Sequence, residues 1–232
     1  MILKIFKCII SPSIHPPRER AVRRFVYLVL CFSLFTLAAP VRAVVVDDKP
    51  GAVSMIENLH NALLDAMKQG GTIDFAARKQ MLGPVIHEVF DLETMLRASV
   101  GGGWQKLTED ERKMLSDAFA GWTIATYASQ FKAWNGEAFT IVGFSDPEKP
   151  NVLVRTEIKP KSGKATALQY RLRQKITAKN DGPWQVVDIL LDGAVSQLAL
   201  RRADFAKVFT SGGAPALASH LNTLTVRLEK TG

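Results

Sequence analysis

A chain of 232 residues, 47% hydrophobic and 22% charged, is long and apolar enough to bury a core of its own, which sets aside intrinsic disorder. Its 30 Lys and Arg against 22 Asp and Glu give a formal net charge of +8, but seven cations (Lys4, Lys7, Arg18, Arg20, Arg23, Arg24, Arg42) and one anion, Glu19, fall within residues 1–43. The remainder holds 23 cations against 21 anions, a balance of +2 that removes the charge argument for nucleic acid, and Cys8 and Cys31 also fall in that first segment, so the rest has no thiol for a disulfide, a metal or a nucleophile.

Residues 1–43 have the order of a secretory signal. Arg18, Arg20, Arg23 and Arg24 precede an apolar run from Phe25 to Ala39, and Val41-Arg42-Ala43 offers the modest side chains a signal peptidase needs, so cleavage is expected after Ala43. The run of 15 residues falls short of the roughly 20 that span a bilayer. No Ser or Thr precedes Arg23-Arg24, which argues against twin-arginine export, and Leu30 before Cys31 is too bulky for lipoprotein cleavage.

Residues 44–52 read as a linker and 53–232 as a single domain. From Val53 to Lys68, Ile56, Leu59, Leu63, Leu64 and Met67 recur at helical spacing, and Gly70-Gly71 ends the pattern. A second helix is expected from about Asp74 to Phe90, broken or kinked at Gly83-Pro84, and Asp91 can cap a third through Leu96. Gly101-Gly102-Gly103-Trp104 forces a turn. Thr108 and Glu111 then form a capping box for a long, mostly buried helix running to Phe131.

After Trp134-Asn135-Gly136 the period becomes two. Strands are expected at Phe139–Phe144, Val152–Ile158, Leu168–Ile176 and Trp184–Leu191, the first ending at Ser145-Asp146-Pro147, and Asn180-Asp181-Gly182-Pro183 reads as a hairpin turn. On the third, Leu168, Tyr170, Leu172 and Ile176 share one face, and Arg171, Arg173 and Lys175 the other. Helical spacing returns at Val195–Phe209 and Pro215–Leu228, separated by Gly212-Gly213. Helices, a strand meander, then helices define an α+β fold: a curved antiparallel sheet of about four strands against a helical layer.

Catalytic signatures are weak. His60, His87 and His220 lie on expected helices without metal-ligand spacing and read as surface or interface residues; there is no GxSxG elbow, and the glycine triplet lacks the Lys-Ser/Thr of a phosphate loop. Asp188 and Asp192 are the one candidate acid/base pair for an envelope lipid- or glycan-acting hydrolase, though four residues of strand separate carboxylates by about 13 Å. The aromatic residues Trp104, Phe119, Tyr127, Phe131, Trp134, Tyr170 and Trp184 either fill a core, as in a structural adaptor without a cavity, or line an apolar cavity between sheet and helices.

Several stretches carry a resemblance. Leu153-Val154-Arg155-Thr156-Glu157-Ile158, Tyr170-Arg171-Leu172-Arg173, Trp184-Gln185-Val186-Val187-Asp188 and Asp192-Gly193 resemble the MlaC, or toluene-tolerance, family of periplasmic lipid-binding proteins. Phe90-Asp91, Trp104 with Leu107-Thr108, Thr126-Tyr127-Ala128, Phe205 and Gly212-Gly213 fit the same pattern, over about residues 53 to 225. Gly193-Ala194-Val195-Ser196-Gln197-Leu198-Ala199 departs from the usual Gly-Val-Ser by one residue, and Leu200 stands where the family Tyr would; that version is similar to the hopanoid-associated branch, HpnM. The resemblance implies an NTF2-like or MlaC-like fold in the periplasm and a monomeric carrier rather than an enzyme, with no cofactor beyond its lipid cargo. It would move a hopanoid or phospholipid between an inner-membrane transporter of MCE/ABC or RND type and an outer-membrane acceptor. The cavity wall is expected from Trp104, Phe119, Ile124, Tyr127, Phe131, Val152, Val154, Tyr170, Leu172, Val186 and Leu198.

Overall fold

The computed structural model describes residues 50–148, 151–176 and 182–232. The expected signal, most of the expected linker, and residues 180 and 181 of the expected hairpin turn lie outside the described residues.

The first helix, α1 (Pro50–Lys68), starts three residues before the expected Val53. Its first residue is proline, whose missing N–H would have had no helical partner there. Ile56, Leu59, Leu63 and Met67 are buried, and α1 lies across β1 (Ala138–Glu148), β2 (Asn151–Lys159) and β4 (Trp184–Leu191). His60 completes that buried stripe at 5% exposure, so it is a core residue and not the surface or interface residue expected; His87 and His220 are exposed.

In α2 (Phe75–Val89), Asp74 caps the start by accepting the Ala77 N–H at 2.8 Å. The helix runs unbroken through Pro84 because Leu82, Gly83 and Ile86 are buried on its packed face, and that packing outweighs the local cost of proline. Asp91 caps α3 (Leu92–Val100) through the Thr94 N–H at 2.9 Å, and its own N–H donates to the Val186 carbonyl, fastening the α2–α3 junction to the sheet. Arg173 reaches back to Thr94 Oγ1 at 3.1 Å and Asp91 at 3.5 Å. The glycine triplet is the start of a 3₁₀ turn, Gly101–Lys106. The capping box opens α4 (Glu109–Gln130): Glu111 N–H donates to Thr108 Oγ1 at 3.2 Å and Thr108 N–H to Glu111 Oε2 at 2.9 Å.

The sheet has five antiparallel strands in the order β1-β2-β3-β4-β5, where β3 is Thr166–Gln174 and β5 is Val195–Ser196. Edge strand β1 continues past the expected stop at Ser145-Asp146-Pro147, with irregular register between Ser145 and Glu148 that absorbs the proline. Ile176 falls beyond β3 and is 82% exposed, so it does not share the inner face of Tyr170. On β2, Val152, Val154, Thr156 and Ile158 alternate inward as the period of two required, and Val154 pairs with Tyr170 and Val152 with Leu172.

Ser196 caps α5 (Gln197–Thr231), its hydroxyl accepting the Ala199 N–H at 3.0 Å. The expected pair of helices appears as two limbs of α5 about a kink: Gly212 and Gly213 leave helical geometry, Gly213 at φ 65, and Pro215 restarts the helix. The limbs pack on α4, and one continuous apolar cluster joins α1 through α5 to the inner face of β2, β3 and β4.

Candidate functional site

Nine of the eleven expected wall residues lie together in that buried cluster: Trp104, Phe119, Tyr127, Phe131, Val152, Val154, Tyr170, Leu172 and Val186. Ile124 and Leu198 are half-buried against it. Rings link the layers. Tyr127 stacks on Phe131 at 5.7 Å and tilts against Phe90 at 5.5 Å, and Phe131 meets Phe139 at 6.3 Å. Phe119 and Trp122 both meet Phe205 of α5, at 6.2 and 5.8 Å. Trp134 is the exception among the expected aromatics: it is 48% exposed, donates Nε1 to the Glu137 carbonyl at 2.9 Å and lies beneath Lys68.

The nine buried wall residues expose at most 6% of their surface. Three clefts among the described residues lie elsewhere. One of about 460 Å³ lies between Asn135–Glu137 and residues 160–166, and two of about 610 and 520 Å³ lie on the outer surface of α4 and the second limb of α5.

Polar groups lie inside the apolar layer, and hydropathy gave little warning of them. His60 stacks on Phe139 at 4.5 Å and meets Tyr170 edge-on at 5.7 Å; its Nε2 has no partner among the described residues, and burial lowers its pKa to about 4. Arg201 on α5 is 5% exposed, with its guanidinium 5.5 Å from the Phe119 ring and 5.3 Å from that of Trp122. Burial lowers its pKa, opposed by Tyr127 and Asp188. Burial pushes the hydroxyls of Tyr127 and Tyr170 upward, so both remain protonated donors. A detectable signal existed: Gln197, Arg201 and Phe205 recur every four residues, one helical face, and all three are buried.

The two candidate catalytic carboxylates do not form a pair. Asp188 is 3% exposed; its Oδ1 accepts the N–H groups of Ile189 and Leu198 at 2.8 and 3.1 Å, and its Oδ2 accepts Ser196 Oγ at 2.7 Å, which fixes the start of α5 against β4. Asp192 is exposed on the following turn, at φ 49, and lines the 460 Å³ cleft without Asp188.

A fold of this layout, with this ordered set of motifs, matches the family model described as MlaC protein over residues 57–223. The chain belongs to the MlaC family. The resemblance drawn from Val154, Tyr170, Trp184 and their neighbours is therefore confirmed at family level. No curated protein matches the chain. Among solved structures it is similar to a phospholipid-binding protein from Ralstonia solanacearum, solved in complex with a phospholipid, with 20% identity and a TM-score of 0.65; the match covers 78% of this chain and 99% of the other. That likeness establishes the α+β MlaC-like fold.

Proposed function

We propose that this protein is an exported lipid carrier that takes a hopanoid or a phospholipid across the periplasm, between an inner-membrane transporter of MCE/ABC or RND type and an outer-membrane acceptor. The observation that carries the proposal is the apolar interior itself. Residues from the 3₁₀ turn, α4, β2, β3, β4 and α5 meet in one uninterrupted layer between sheet and helices. A guest that parts this layer trades protein–protein for protein–lipid contact. Hiding each CH₂ from water is worth about 0.8 kcal/mol, so long chains or fused rings are held without covalent chemistry. Release then requires a membrane or partner that presents an equally apolar place. Membership of the MlaC family and a structural relative solved with phospholipid support the reading.

The cargo is where two readings meet. The segment Gly193–Ala199 and Leu200 resemble the hopanoid-associated branch, which favours a flat polycyclic guest. The polar groups buried beside the first limb of α5 weigh towards a lipid with a charged group. A competition decides: delipidated protein is offered hopanoid and phospholipid in equal amount, and the retained lipid is extracted and identified. Retention of either supports carriage and names its class; retention of neither, repeated with protein loaded from liposomes, refutes it.

A further inference from the structure

Among the described residues two arginines are buried, and their surroundings differ. Arg78, 2% exposed, gives all three of its nitrogens to backbone carbonyls: Nε to Ala128 at 3.0 Å, Nη1 to Ile73 at 2.9 Å and Nη2 to Gly232 at 3.1 Å. It joins three chain segments and its charge is spread over their dipoles. Arg201 has neither hydrogen bond nor ion pair among the described residues, and its Nε and Nη1 are wholly buried without a partner. Phe119 and Trp122 lie against its guanidinium and offer π-electron density, but no acceptor for its N–H groups.

One turn before it on α5, Gln197 is 1% exposed, and both its amide nitrogen and its amide oxygen are unpartnered among the described residues. The neighbouring carboxylate, Asp188, already accepts two backbone N–H groups and the Ser196 hydroxyl. Thus a cation and an amide lie one helical turn apart inside an apolar layer, and no acceptor among the described residues satisfies them. Buried polar groups of folded proteins are ordinarily paired, and an unpaired buried cation is the costliest exception.

We propose that Arg201, with Gln197, receives the acidic oxygens of the lipid cargo, a carboxylate or a phosphate ester, inside the protein. The proposal rests on the carrier reading and adds the class of cargo. A single negative oxyacid group matches one guanidinium in charge and accepts from the Arg201 and Gln197 N–H groups, while its apolar body lies among Phe119, Trp122 and the β2–β3 face. The paired cation then stays charged in the closed interior.

The test compares lipids that differ in the acid alone: oleate against oleyl alcohol, and phosphatidate against diacylglycerol, with inorganic phosphate as the headgroup without a chain. Delipidated protein, Arg201→Met and Gln197→Leu are each loaded and the retained lipid is quantified, with thermal melting to confirm folding. Wild type is expected to retain the acidic member of at least one pair at least tenfold better, and that pair identifies the source of the acid. Arg201→Met should still hold the neutral members but lose the preference, and Gln197→Leu should weaken it. Equal retention within both pairs by wild type overturns the proposal and leaves carriage standing. A preference that survives in folded Arg201→Met also overturns it, the buried groups then being hydrated only. Arg201-dependent protection by inorganic phosphate equal to that by phosphatidate overturns the lipid as the source. Failure to retain any lipid removes the carrier reading with it.

Discussion

His60 is a buried base with no compensating acid, and its removal should change how acid destabilises the protein. The ring lies between Phe139 and Tyr170, and burial alone lowers its pKa from 6.5 to about 4. Between those values the unfolded chain binds a proton at this site and the folded chain does not. The stabilising effect of the neutral buried ring is therefore complete above pH 6.5 and is lost as the pH falls towards 4. At about 1.4 kcal/mol per pH unit, that interval amounts to about 3 kcal/mol at most. In His60→Leu the site keeps a similar volume and loses its titration. Urea unfolding of both proteins at intervals from about pH 7.5 to about pH 4 should show the variant gaining on the wild type by up to about 3 kcal/mol as acid is added, with a constant difference above pH 6.5. Parallel stability curves across the whole range would show that His60 protonates in the folded protein without cost, and would refute the reasoning.

The other expectations concern particular contacts. Arg78→Met leaves three carbonyls without their donor and should lower stability by about 3 kcal/mol in urea titrations, whereas Arg201→Met, which removes a cation with no partner, should leave stability unchanged or raise it by about 1–3 kcal/mol. Gly103→Ala drives a methyl into the Phe209 ring, so it should cost about 1–3 kcal/mol, and a second change, Phe209→Leu, should recover part of that loss. Leu172→Trp or Val154→Trp overpacks the sheet face of the interior at a cost of about 1–3 kcal/mol and should lower lipid recovered per folded molecule; unchanged recovery would place the lipid elsewhere.

Much of the fold was legible because its signals are local. The Thr108–Glu111 box, the alternation of Val152, Val154, Thr156 and Ile158, and the break at Gly212-Gly213 each depend on a few neighbouring residues. The misreadings share a cause in tertiary context. Pro84 reads as a helix breaker until the burial of Leu82 and Ile86 is known, and Pro147 reads as a strand end until β1 is seen to be an edge with irregular register. Two residues cannot display a period, so β5 had no signature. The apolar wall from Phe119 to Val186 was legible as hydropathy, but its near-complete burial in one cluster was not, because a filled and a hollow interior need the same side chains. His60, Gln197 and Arg201 were passed over for the opposite reason: a polar side chain in an inward helical position looks like surface until the elements covering it are placed.

Carriage itself is tested most directly by native mass spectrometry of the protein, purified without detergent and then mixed with vesicles of total membrane lipid. The account predicts a species heavier than the bare chain by the mass of bound lipid, which diminishes when empty acceptor vesicles are added. A bare-chain mass alone, before and after exposure to vesicles, from protein that melts cooperatively, would contradict it.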